Sequence, residues 1–75
     1  MISETKDIAV YNPFDDKYTV CFCRFELKMV NGNLVNAELV EVISQGEVSM
    51  FDWVPLKERG AIELNFEREY RENYS

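Results

Sequence analysis

The side chains best suited to chemistry in this sequence are two cysteines, Cys21 and Cys23, separated by a single residue. In an extended chain that spacing puts both thiols on one face of a strand, where free cysteine behaves as a small hydrophobe. Tetrahedral zinc needs four ligands, so the pair could complete a site only by meeting the same pair in a second copy. As a redox couple it lacks the helix N-terminus that lowers the thiol pKa in C-x-x-C proteins. Core packing is therefore the expected role, with no metal and no cofactor.

Carboxylates are the other candidates. Asp15, Asp16, Glu38, Glu63, Glu67, Glu69 and Glu72 supply potential acids and bases, but nothing in their spacing brings two of them around a pocket. They read as a solvated surface with weak ion pairs, not as a glycosidase-type couple. Histidine is absent, which removes the usual general base, the serine and cysteine nucleophile systems that depend on it, and the commonest metal ligand. No phosphate-cradling or dinucleotide-binding glycine pattern and no H-E-x-x-H pattern occurs. The expectation is a protein that is not an enzyme.

Seventy-five residues allow one small domain spanning residues 1–75, with the polar segment 1–7 expected to fray. A hydrophobic fraction of 47% is enough for a core, yet so short a chain buries only a little more than about 60% of its unfolded surface. A partner or a second copy would add to that margin. Fourteen acidic against eight basic residues give a net charge of −6, which opposes phosphate backbones and anionic membranes. Direct nucleic-acid binding and membrane association are thus not expected. No stretch approaches the roughly 18 apolar residues of a membrane helix. Glu4, Lys6 and Asp7 interrupt the place where the apolar part of a secretory leader would lie. Two cysteines make no disulfide framework, so the expected setting is the reducing cytoplasm.

The clearest pattern lies at 18–30. Thr19, Cys21, Cys23, Phe25, Leu27 and Met29 alternate with Tyr18, Val20, Phe22, Arg24, Glu26 and Lys28, predicting a long strand. Its first set faces the core; its second is apolar early and charged late. Residues 8–11 form a short apolar edge strand that ends in the turn chemistry of Asn12 and Pro13. Asn31-Gly32-Asn33 marks a hairpin. A three-residue loop is preferred, because it sets Phe25, Leu27 and Met29 opposite Leu39, Ala37 and Val35; a two-residue turn would need a bulge downstream to rescue that match. After Ser44-Gln45-Gly46, residues 47–54 read as a third, shorter strand stopped by Pro55. Residues 56–73 allow two readings, since Ile62, Leu64 and Phe66 alternate like a strand while Ile62, Phe66 and Tyr70 share one helical stripe; the run of helix formers at 67–72 favours a C-terminal helix. The whole is an α+β fold: an antiparallel β-meander of three to four strands with one C-terminal α-helix packed on one face.

This arrangement leaves Tyr18, Val20 and Phe22 beside Val40 and Val42 on the sheet face away from the helix. Something is expected to cover that patch: the segment 8–11 or the third strand, a second copy in a homodimer, or a different protein. Trp53, at the junction between strand and helix, is either a core anchor or a binding hot spot. The leading functional expectation is a protein-binding module that occludes or bridges another macromolecule. It would use Tyr18, Val20, Phe22, Val40, Val42 and Trp53 together with an acidic surface of Glu67, Glu69 and Glu72. In size and charge the chain resembles the small accessory and inhibitor proteins of phages and other mobile elements, a resemblance no motif carries. Two alternatives stand beside it: an acidic nucleic-acid mimic that blocks a DNA- or RNA-binding protein, and a structural homo-oligomer.

Overall fold

A computed structural model describes residues 2–74. Three long strands, β1 (Ile2–Asn12), β2 (Lys17–Val30) and β3 (Asn33–Ser44), form one antiparallel sheet in the order β1-β2-β3. A 3-10 turn (Phe51–Trp53) leads into a single helix, α1 (Leu56–Tyr74). The expected α+β meander with one C-terminal helix is the fold, and the helix lies where its stripe placed it.

Four local expectations change. Residues 2–7, expected to fray, are paired along β2, from Ile2 opposite Leu27 to Asp7 opposite Phe22. The reason is the length of β2: its apolar alternation runs well past residues 8–11, so the chain before them has a template to hydrogen-bond against. The hairpin turn has two residues, with Val30 opposite Asn33 and both Asn31 and Gly32 at positive φ. Both central residues of the turn that matches strand twist need that conformation, which Asn and Gly adopt at little cost. The register is then corrected by a bulge: Met29 faces Leu34 and Lys28 faces Asn36, leaving Val35 as the extra residue. From there Leu27 opposite Ala37 and Phe25 opposite Leu39 are the expected pairs.

A second bulge has the larger consequence. Phe25 faces Leu39 and Arg24 faces Glu41, so Val40 is unpaired and the residues after it exchange faces. Val42, expected outside, is fully buried, and Ile43 takes the outward position opposite Phe22. Finally, residues 47–54 are no strand. Only Ser49 bridges to Ile43, because Glu47 turns through a left-handed conformation and the chain then winds into the 3-10 turn. Arg59 fixes that turn to the helix: its guanidinium donates to the carbonyls of Val54 (2.8 Å) and Phe51 (2.7 Å) and lies 4.0 Å over the Phe51 ring.

The core lies between the sheet and α1. Cys21, Cys23, Phe25 and Leu27 come from β2, Ala37, Leu39 and Val42 from β3, and Val10 from β1. Phe66 stacks on Phe25 with centroids 4.1 Å apart, which seats the middle of the helix on the middle of the sheet. Met50 and Val54 close one end.

Candidate protein interaction surface

Because β2 alternates, every second side chain points away from α1, and the early part of that outward row is apolar. Tyr18 is 70% exposed, Val20 46% and Phe22 48%. Ile43 joins them from β3, opposite Phe22 and half-buried. A shallow cavity of about 250 Å³ opens between Val20, Phe22, Ile43, Asp7 and Gln45. Charge rims the row: Asp7 is opposite Phe22, and Arg24 holds Glu41 at 3.4 Å one step along. Tyr11 packs edge-on against Tyr18 at 5.9 Å. Its hydroxyl donates to the Asp16 carboxylate, and that bond raises the phenol pKa above its ordinary value of 10.0.

A second exposed cluster stands at the end of the sheet where β1 turns into β2. The Asn12 side chain accepts from the Phe14 amide at 2.9 Å, a local turn that lifts the Phe14 ring outward. That ring meets Trp53 edge-on at 4.8 Å. Trp53 is 55% exposed, so it is no core anchor, and Leu56 beside it in sequence is exposed too.

Of the residues singled out from sequence, Tyr18, Val20 and Phe22 share the outer face, Val40 is half-buried at the bulge, and Val42 lies in the core. Trp53 sits apart with Phe14. The acidic trio does not form one surface. Glu67 is buried and accepts from the Ala37 amide at 3.1 Å, Glu69 is paired with Lys6, and Glu72 is exposed. Sequence reasoning missed Ile43 and Phe14. The signal for Phe14 was a large apolar residue inside the polar run Asn12-Pro13-Phe14-Asp15-Asp16. Nothing in the sequence marks the bulge that turns Ile43 outward.

The cysteines are buried beneath this surface. Burial pushes the Cys23 thiol from 9.0 up to about 11 and raises that of Cys21, which keeps both protonated and poorly nucleophilic at neutral pH. Among the described residues no group of three or more histidine, cysteine or acidic side chains is placed to hold a metal ion, and no helix is long and apolar enough to cross a membrane.

Comparison of the chain with family models, with curated proteins and with solved structures finds no match.

Proposed function

We propose that this chain is a non-enzymatic protein-interaction module that occludes a macromolecular partner through the outer face of its sheet. One observation carries the reading: Tyr18, Val20 and Phe22 follow one another along the outward side of the central strand and remain about half or more exposed in the folded chain. Aromatic and aliphatic side chains of this kind form interface cores, and Asp7 with the Arg24–Glu41 pair makes a charged rim of net negative sign. The fitting partner surface has an apolar centre bordered by basic groups, as would suit a small acidic accessory or inhibitor protein of a mobile element. The rim then speeds encounter while the row sets the lifetime of the complex.

Affinity capture with the native chain and with Phe22→Glu tests the proposal. Phe22 is exposed on the solvent side, so the variant should keep the native circular dichroism spectrum and lose its captured protein. An identical set of captured proteins for both chains would remove the outer face as the contact.

A further inference from the structure

We infer that the free edge of β1 pairs with the β1 edge of a second copy, joining two three-stranded sheets into one continuous antiparallel sheet about a two-fold axis at Thr5. The inference rests on how differently the two sheet edges are finished. Along β3 every outward-pointing residue from Leu34 to Ser44 has at least one backbone group engaged: the Leu34 carbonyl by Arg71, the Ala37 and Leu39 amides by Glu67 and Glu63, the Val42 carbonyl by the Met50 amide, and the Ser44 amide by the Val48 carbonyl. This fixes the hydrogen-bonding phase of the whole sheet. Since Ala37 and Leu39 point outward, their partners Leu27 and Phe25 direct their backbone groups toward β1. There they meet Ile2 and Glu4, and the alternation leaves Ser3, Thr5, Asp7 and Ala9 with N–H and C=O groups aimed away from the sheet. Among the described residues no hydrogen bond reaches those groups.

The strand's own side chains select the occupant. In antiparallel pairing about Thr5, Thr5 exchanges both backbone bonds with Thr5 of the second copy, and Ser3 does so with Asp7. On the helix side Glu4 then lies opposite Lys6 of the second copy, and by symmetry Lys6 opposite Glu4, so both charged pairs are complementary. Ile2, half exposed in one chain, falls opposite Ile8 of the other. Ile8 borders a cavity of about 290 Å³ between β1 and α1, floored by Ile62 and Phe66, whose mouth the incoming isoleucine would narrow. Shifting the axis to Lys6 or Asp7 places like charges on the two-fold and separates Glu4 from Lys6. Of the registers along β1, the one about Thr5 alone sets Glu4 opposite Lys6 in both directions.

The pairing is independent of the outer-face contact and is tested separately, by sedimentation over a concentration series. The native chain should show a reversible dimer. Thr5→Pro removes only an outward N–H and is compatible with an edge strand, so it should give a folded monomer. Glu4→Lys and Lys6→Glu should each weaken self-association about tenfold or more, because the first sets two ammonium groups and the second two carboxylates opposite one another across the new strand pair. An equimolar mixture of those two variants should recover association to within about threefold of native, because every pair is again complementary. That recovery holds the test open even if Thr5→Pro fails to fold. A monomer at every concentration, a dimer that is abolished by Phe22→Glu yet untouched by the β1 variants, or no recovery on mixing would overturn the inference.

Discussion

The two edges of this sheet meet the same physical demand in different ways. Beside β3, a helix lies close enough for Glu63, Glu67 and Arg71 to reach the strand's backbone. These residues are four apart on α1, a rise of about 6 Å, and two residues of a strand advance about 6.6 Å, so successive helical turns meet successive outward groups. Past the helix's reach, residues 48–50 fold back and complete the cover. Beside β1 the helix places Glu69 on the Lys6 side chain, and a groove intervenes between strand and helix. A short chain with one helix can finish one edge from within. The other is left to charge, to solvent or to another strand.

The contrast can be broken most severely at its anchor. Phe66→Ala takes away the ring stacked on Phe25 and with it the seating of α1, and should cost about 3–5 kcal/mol in urea unfolding. A loss below about 1 kcal/mol would mean the helix is held over the β3 edge by its polar contacts instead. Glu67→Ala attacks the finished edge directly. It strands the Ala37 amide in a place the carboxylate had sealed, for an expected cost of about 2–3 kcal/mol. It also uncovers one outward amide of β3 while Glu63, Arg71 and residues 48–50 keep their contacts, so scattering should show a small rise in mean mass with concentration. Unchanged stability together with unchanged mass would show that the edge is protected by the helix's bulk alone.

A third measurement sharpens the comparison, since Cys23 lies in the central strand between Lys6 and Val42 and belongs to neither edge. Its thiol is raised from 9.0 in the unfolded chain to about 11 in the fold by burial. The folded state therefore holds its proton more tightly, and stability is full below pH 9 and lost as pH climbs from 9 to 11. The decrease should be on the order of 2 kcal/mol. Hydrogen exchange should report both edges opening together in this window, and Cys23→Ala should remove the larger part of the slope, leaving the part that the raised Cys21 thiol and Tyr11 phenol supply. A slope that the substitution leaves unreduced would assign it to those groups instead.

Much of this was legible along the chain. The period-two alternation of 18–30 announced β2, and the stripe of Ile62, Phe66 and Tyr70 announced α1, because both patterns repeat over enough residues to outweigh local irregularity. The outer-face row of Tyr18, Val20 and Phe22 followed from the same alternation. A bulge after a two-residue turn was legible as the alternative register and lies at Val35, whereas the bulge at Val40 was not legible, since it depends on a single extra residue whose cost and benefit are set across the sheet. Val42 and Ile43 exchanged places for that reason alone. Trp53 and Phe14 lie far apart in sequence, and only the turn at Asn12 together with the 3-10 turn brings their rings into contact.

Glu67 marks the boundary most clearly. Sequence by itself determined the elements: strand and helix periodicities, the turn at Asn31-Gly32, and the acidic excess that opposes approach to phosphate. It placed Glu67 in a run of charged helix formers, where a solvated carboxylate is the ordinary outcome. Tertiary structure decided which carboxylates remain on the surface, because the helix axis came to lie within side-chain reach of an unpaired strand edge. An outward amide that has lost water to packing needs an acceptor, and the residue one helical turn before Arg71 was there to provide it.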